Sequence, residues 1–387
     1  MDGVSDFLER AKSQTGLDSF GESSFLEGLE ILVASIDREG ALTAAGRPAI
    51  DAMIVDLLCN RLQIEDWYGR HPEIDDQEIV APLIGLGLPR TGSTALACLL
   101  AEDPCARSLR NWEAQSPCPP PEPATSSTDP RIVMSEAFMA RRALRFPRMV
   151  AMLPNNATSP SECQTFMGYD FKSQIFQAMV NVPSYTEWLN HKAGLASTYR
   201  YLKRVLKLLQ WRWPTCRWRL KNPSHSLFIE ALNQVFPDAR FVMTHRDVAS
   251  VVPSVADLYF EMRKAFSDTV DMEAIGRVTS DFCQLGMRRM IAFRDGGEDD
   301  RFFDIHFMPF QQNPLNSIAA LYDFLGEELT TETRARMEDW RRGRPFDEKG
   351  YARTDPSAFG LDRGELRRVF QFYTDRFPVT EREAVLF

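Results

Sequence analysis

The sequence predicts an α/β fold in which a central, mainly parallel sheet lies between two layers of helices. In its second half, short apolar segments alternate with amphipathic segments, as in strands joined by helical crossovers. An earlier apolar segment, residues 79–87, ends in a glycine turn that leads directly into an apolar helix. Apolar side chains recur at helical spacing over residues 1–70 and 129–213, which predicts additional helices at the N-terminus and in mid-chain.

Composition restricts the classes of function. The chain has 387 residues and a net charge of −9, which argues against a general nucleic-acid binder. No apolar run is long enough to span a membrane, and the N-terminus lacks the pattern of a signal peptide. Seven cysteines without a CxxC pair predict a reducing cytoplasm and neither a disulfide framework nor a metal site. The oligomeric state is left open.

The first elements follow from local patterns. Residues 1–70 are predicted to be helical, and the polar segment 65–77 reads as a linker. Pro82 cannot donate to a ladder, so the paired part of the next strand should begin at Leu83. The helix that follows should end near residue 102, before an Asp-Pro pair. A short strand is predicted over 108–113 and a polyproline connection over 116–123.

The later elements continue the alternation of strands and helices. Strands are predicted at 218–221, 239–244 and 302–306, and helices at 224–236, 248–265, 272–294, 314–325, 330–345 and 363–376. Residues 346–362 have the composition of a loop. These elements follow one another as in a parallel sheet with right-handed crossovers.

The turn after the first strand has the outline of a phosphate-binding loop. Residues 87–94 read GLPRTGST, which is GxxxxG followed by two hydroxyl residues, and Ser93 stands where the loop lysine would be. Backbone N–H groups, together with the hydroxyls of Thr91, Ser93 and Thr94, can face an anion beside Arg90. A P-loop NTPase-like fold is therefore predicted, although the missing lysine argues against a nucleoside triphosphatase.

Two more clusters follow predicted strands. Lys221 ends one strand, where its charge could stabilise a leaving oxygen. Arg246 follows another strand, and Ser254 lies eight residues on, about two helical turns away, so the two could hold a second phosphate. His245–Asp247 spells the HRD of kinases, but Val252 replaces the asparagine that a kinase requires. Asp247 is instead read as an acid at a helix N-terminus.

In this order and spacing, the three clusters resemble the sulfotransferases that use 3′-phosphoadenosine-5′-phosphosulfate. PRTGST is similar to that family's 5′-phosphosulfate loop, and Arg246 with Ser254 resembles its 3′-phosphate motif. The segments LKNP, FPDARFVMTHRD and FDIHFMPFQQNPLNSIAALYDFLG are also family-like, and the closest likeness is to the bacterial branch related to tyrosylprotein sulfotransferases. The resemblance covers about residues 80–365.

The resemblance implies transfer of a sulfuryl group by in-line displacement to an acceptor hydroxyl or amine, without a metal. It assigns Arg90, Thr91, Gly92, Ser93 and Thr94 to the 5′-phosphosulfate and Lys221 to the bridging oxygen. It also offers two candidates for the general base that takes the proton of the acceptor. Glu113 matches the glutamate of the tyrosylprotein branch and is preferred, whereas His225 lies two residues beyond the position of the histidine in the cytosolic branch. Lys349 and Gly350 are expected to close over the 3′-phosphate.

In this interpretation, residues 1–77 form a helical extension packed on the core, and residues 78–387 form the sulfotransferase domain. The aromatic side chains of 129–213 either form core contacts, the commoner case for any single ring, or line an acceptor site for a small molecule with apolar or aromatic parts. Two alternatives stay open. One is a small-molecule kinase with a degenerate loop, and the other is a non-catalytic nucleotide-binding protein.

Overall fold

The computed structural model describes residues 2–153, 155–214, 217–343 and 354–379. In chain order the helices are α1 Asp2–Thr15, α2 Ser24–Glu39, α3 Gly46–Arg70, α4 Ser93–Leu100, α5 Asn111–Gln115, α6 Pro130–Arg145, α7 Pro147–Met152, α8 Gln164–Met167, α9 Ile175–Met179, α10 Pro183–His191, α11 Ala196–Trp211, α12 Ile229–Val235, α13 Val248–Arg263, α14 Met272–Phe293, α15 Phe307–Gln312, α16 Pro314–Leu325, α17 Thr331–Arg342, α18 Arg363–Val369 and α19 Gln371–Arg376. The strands are β1 Leu83–Gly87, β2 Ala106–Ser108, β3 Arg217–Lys221, β4 Arg240–His245 and β5 Phe302–His306.

The chain forms two compact units. The first combines Met1–Ile79, Leu109–Thr215 and Tyr259–Val270, and the second combines Val80–Ser108, Cys216–Leu258 and Asp271–Phe387. No helix among the described residues is long and apolar enough to cross a membrane.

The second unit contains the sheet. Its five strands are all parallel and lie in the order β2-β3-β1-β4-β5. β1 is central and fully buried, and its Ile84 pairs with Leu220 of β3 and with Phe241 of β4. The predicted α/β fold with a parallel sheet is therefore confirmed. Because parallel strands end at the same edge, the residues after β1, β3 and β4 are brought to one place.

One face of the sheet is closed by apolar side chains of α4 and α16. Leu96, Leu99 and Leu100 of α4 pack with Leu83 of β1 and with Ile318 of α16 in a single buried cluster. This packing fixes the start of α4, and with it the glycine turn that precedes the helix, against the central strand.

The first unit is helical and is organised around a buried cation. The guanidinium of Arg61, on α3, donates to the carbonyl oxygens of Phe20, Glu22 and Tyr169. Its Nη1 lies 3.8 Å from the carboxylate of Asp170. Hydrogen bonds on the whole guanidinium make such burial tolerable, since an unpaired buried charge is costly.

Four local predictions are wrong in detail. The strand predicted over 108–113 is β2, which ends at Ser108, and residues 111–115 are helical because the carboxylate of Glu113 accepts the backbone N–H of Arg110 at the start of the helix. The predicted linker is partly the end of α3, followed by a 3-10 turn that begins at Pro72. The helix predicted over 224–236 breaks at Phe228, and the last helix breaks at Phe370. The division at residue 78 and the acceptor-side role of 129–213 stay predictions.

Candidate functional site

The loop between β1 and α4 has a backbone that only certain residues adopt easily. Gly87 and Gly92 have φ angles of 114° and 90°, and Arg90 has a φ of 63°. A Cβ on Gly92 would also lie 3.3 Å from the ring of Phe307, a tight contact, so both the positive φ and the crowding favour glycine there. The loop therefore folds back tightly before α4 begins at Ser93.

The two predicted phosphate motifs meet at Arg90. Its Nε donates to the Oγ of Ser254 at 3.2 Å, across 164 positions of sequence. The Nη1 of Arg246 donates to the carbonyl oxygen of Arg90 at 3.2 Å, and its guanidinium lies over the ring of Phe307 at 4.1 Å. The structure thus brings together the loop cation, Arg246 and Ser254, which the sequence placed on separate elements.

Lys221 approaches the loop from β3. Its ammonium donates to the hydroxyl oxygen of Thr94 at 3.3 Å, and the residue is largely buried. Since Thr94 is in the first turn of α4, this ammonium lies beside the N-terminus of the helix, where backbone N–H groups also concentrate positive charge. Lys221 therefore supplies a cation close to the loop that lacks its own lysine.

The hydroxyl of Thr91 is hydrogen-bonded within the protein. The hydroxyl donates to the carbonyl oxygen of Leu88 at 2.8 Å and lies 2.6 Å from the hydroxyl of Thr244. Its single proton is used in the first bond, so the second bond is donated by Thr244. Because this hydroxyl is already bonded within the protein, Thr91 can meet an anion only through its backbone N–H. The side chain of Ser93 is half-buried and that of Thr94 is exposed.

The two candidates for the general base differ in setting. Glu113 lies in the first unit, on α5, where its carboxylate accepts the backbone N–H of Arg110 at 2.9 Å. His225 lies in the second unit, in the 3-10 turn Pro223–Leu227, four residues after Lys221. Burial lowers the pKa of His225 to about 3, so the imidazole is neutral near pH 7 and a weak base. Lys349 and Gly350 lie outside the described residues.

Behind Arg246 lies a buried network that the sequence did not indicate. Nε2 of His245 is 2.8 Å from the carboxylate of Asp304, which Arg294 contacts through two bonds of 2.8 Å. Burial lowers the pKa of His245 despite the neighbouring carboxylate, so Nε2–H donates to Asp304 and Nδ1 accepts from the hydroxyl of Tyr373 at 3.0 Å. Burial alone would raise the pKa of Asp304, but bonds from Arg294 and His245 lower it.

Asp247 has the structural role predicted for it. Its Oδ1 accepts the backbone N–H of Ala249, in the first turn of α13, and its Oδ2 accepts from Arg367 of α18 at 3.0 Å. Arg363 of the same helix donates to the carbonyl oxygen of Ala249. Helix α18 is thereby attached to the turn that carries Arg246. No sequence signal linked α18 to this turn, because the partners lie more than a hundred residues apart.

Comparison with known proteins identifies the family. The model of a sulfotransferase family matches residues 82–331. The chain belongs to the sulfotransferase family. The sulfotransferase STF9 of Mycobacterium avium has a similar structure, with 32% identity, a TM-score of 0.90 and coverage of 97% of both chains. The sulfotransferase STF1 of Mycobacterium tuberculosis shares 28% identity, with a TM-score of 0.84 over 95% of this chain and 98% of its own.

A curated sulfotransferase matches over a shorter stretch. The omega-hydroxy-beta-dihydromenaquinone-9 sulfotransferase Stf3 of Mycobacterium tuberculosis is 29% identical over 113 residues, and this match spans 28% of each chain. The resemblance stated from the sequence is confirmed at the level of the family and of the fold.

Proposed function

We propose that the protein transfers the sulfuryl group of 3′-phosphoadenosine-5′-phosphosulfate to a hydroxyl or amine of a small molecule. The observation that carries this proposal is the meeting of Arg90, Ser254 and Arg246, because a donor with phosphates at both ends of its ribose needs two anion sites a short distance apart. Membership of the sulfotransferase family favours sulfuryl transfer over the kinase alternative.

Each of these residues has a separate proposed role. The loop N–H groups from Arg90 to Thr94 and the side chains of Arg90, Ser93 and Thr94 hold the 5′-phosphosulfate, while Arg246 and Ser254 hold the 3′-phosphate. Lys221 stabilises the charge that develops on the bridging oxygen as its bond to sulfur breaks. The products are adenosine 3′,5′-bisphosphate and a sulfate ester from a hydroxyl, or a sulfamate from an amine, and the acceptor proton passes to the base.

We assign the base to Glu113 ahead of His225. Glu113 resembles the glutamate base of the tyrosylprotein branch, whereas burial lowers the pKa of His225 to about 3 and makes its imidazole a weak base. Lys349 and Gly350 keep their proposed place over the 3′-phosphate on the grounds of sequence alone.

The acceptor is proposed to be an alcohol with a large apolar part. Stf3 acts, by its name, on a hydroxylated menaquinone derivative, which is an alcohol of this kind. The reaction is placed in the cytoplasm because an odd number of cysteines without CxxC pairs suits a reducing compartment.

The test is transfer of labelled sulfate from the donor to a panel of alcohols, including isoprenoid alcohols, with a chelator present. The labelled product should form with the phosphosulfate donor, and no labelled product should form from γ-labelled ATP. Transfer from ATP alone would establish the kinase alternative. Binding of adenosine 3′,5′-bisphosphate without transfer to any acceptor would favour the non-catalytic one.

A further inference from the structure

Helix α6 buries polar side chains and exposes apolar ones, which is the opposite of most helices on a protein surface. Its buried side chains are those of Arg131 and Ser135, and the guanidinium of Arg131 donates to Asp129 and to the carbonyl oxygens of Ser116 and Pro119. Glu136 accepts the backbone N–H of Ala157 at 2.7 Å. A helix that packs on a core normally places its apolar residues inward. Here polar contacts attach the helix to its own unit.

The outward face of α6 is apolar. The described residues include five large apolar side chains that are exposed, and four of these lie on α6: Val133, Met134, Phe138 and Leu144, with exposed fractions of 71%, 67%, 49% and 86%. Their spacing, together with that of the exposed Ala137, places them on one side of the helix. Such a concentration of exposed apolar side chains marks an interaction surface, whereas single exposed residues do not.

The same face is cationic. Arg141 and Arg145 are exposed among the apolar residues, and α6 as a whole carries four arginines and one glutamate in a chain whose net charge is −9. An isologous contact through this face would bring two copies of the same cationic patch together, and their like charges would repel. Charge complementarity therefore favours an anionic partner, and the exposed apolar side chains favour one with an apolar interior.

We propose that α6 docks on bilayers that contain anionic phospholipids. The helix lies in the plane of the interface, its exposed apolar side chains enter the boundary between headgroups and acyl chains, and Arg141 and Arg145 bind lipid phosphates. With 16 residues, α6 is about 24 Å long, which is too short to span the bilayer and suits binding parallel to its surface. The inference concerns binding alone and does not depend on the proposed sulfuryl transfer.

The test is flotation of the full chain with vesicles of phosphatidylglycerol and phosphatidylcholine in equal parts, and with vesicles of phosphatidylcholine alone. Binding should favour the anionic vesicles and weaken as salt is raised, because salt screens exposed charges. Arg141→Glu with Arg145→Glu should lower partitioning by at least about 30-fold, since each arginine near an anionic surface contributes roughly fivefold. Met134→Ser, Phe138→Ser and Leu144→Ser together should lower it by at least about tenfold.

Matched controls come from other surfaces. Val80 is the fifth exposed large apolar residue, and Val80→Ser should leave partitioning unchanged. Arg336→Glu with Arg342→Glu, on α17, changes the net charge by the same amount and removes only exposed ion pairs, so it should have little effect.

Four results would overturn the proposal. These are absence of vesicle binding, equal binding to neutral and anionic vesicles, unchanged binding by both α6 variants, and a dimer in solution that the α6 variants dissociate. The substituted side chains are exposed, so circular dichroism and thermal unfolding of the variants should match those of the parent chain, and loss of binding then reports on the surface itself.

Discussion

Arg246→Ala offers a selective test of the donor site. The guanidinium contacts the loop through the carbonyl oxygen of Arg90 and lies over Phe307, and we propose that it also contacts the 3′-phosphate of the donor. A hydrogen bond to a charged group contributes about 1.5–3 kcal/mol, so losing the phosphate contact should weaken binding of adenosine 3′,5′-bisphosphate by about 10- to 100-fold.

A second ligand separates the two roles of Arg246. Adenosine 5′-monophosphate lacks the 3′-phosphate, so Arg246→Ala should affect its binding only through the lost bond to Arg90. That bond lies within the protein at 3.2 Å, so its loss changes the affinity for the monophosphate only through the positioning of the loop. The loss for the bisphosphate should therefore exceed the loss for the monophosphate.

Isothermal titration calorimetry with both ligands and both proteins gives the four affinities. Arg277→Ala is the control, because this arginine lies on the surface of α14 in an exposed pair with Glu273. Equal losses for the two ligands would refute the assignment of Arg246 to the 3′-phosphate, and would leave it a residue that only holds the loop.

Three further changes test the remaining roles. Lys221→Met should reduce transfer of labelled sulfate by about 100- to 1,000-fold, because the ammonium acts on charge that develops during the reaction. Calorimetry should still detect binding of adenosine 3′,5′-bisphosphate, and a large loss of affinity for this ligand would contradict the assigned role. Glu113→Gln should reduce the same transfer rate by at least about 100-fold with unchanged bisphosphate affinity. The amide oxygen can still accept the N–H of Arg110, but the amide cannot take a proton from the acceptor. An equal or larger loss of transfer in His225→Asn would instead assign the general base to His225. The third test uses the pKa of His225, which is about 3 in the folded chain and about 6.5 in the unfolded chain. Between pH 3 and pH 6.5 only the unfolded chain binds a proton at this residue. The free energy of unfolding therefore falls as the pH is lowered from about 6.5. His225→Asn should remove about 1–2 kcal/mol of that fall between pH 7 and pH 5 in urea unfolding, and an unchanged pH dependence would show that the folded imidazole is not neutral.

Local patterns made much of the site predictable. The glycine turn between an apolar strand and an apolar helix is a short-range signal, and the structure places β1, the turn and α4 as that signal indicates. The eight-residue offset of Arg246 and Ser254 is also local, because Arg246 lies two residues before α13 and Ser254 lies in the second turn of that helix. Parallel strands end at one edge, so residues that follow strands could be grouped without any knowledge of the strand order.

Long-range contacts could not be predicted in this way. Asp304 lies 59 residues from His245, and Tyr373 lies 128 residues from it, and neither segment carries a pattern that names its partner. The periodicity of α6 predicts a helix but does not tell which side is buried, since polar contacts of Arg131 decide that. The sequence predicts Glu113 at the end of a short strand, whereas its carboxylate accepts the N–H of Arg110 at the start of a helix.

Two of the three cations at this phosphate-binding loop come from outside the loop itself. A Walker loop carries its lysine in its own sequence, whereas this loop has Ser93 at that place and receives the ammonium of Lys221 beside Thr94 from the neighbouring strand β3. Arg246 comes from the other neighbour of the central strand, β4, and meets the loop at Arg90. The three cations therefore come together only when β3 and β4 flank β1, so the proposed site for a doubly phosphorylated nucleotide depends on the strand order of the sheet. If the proposal is right, adding adenosine 3′,5′-bisphosphate should raise the free energy of unfolding, because the ligand binds only the folded state.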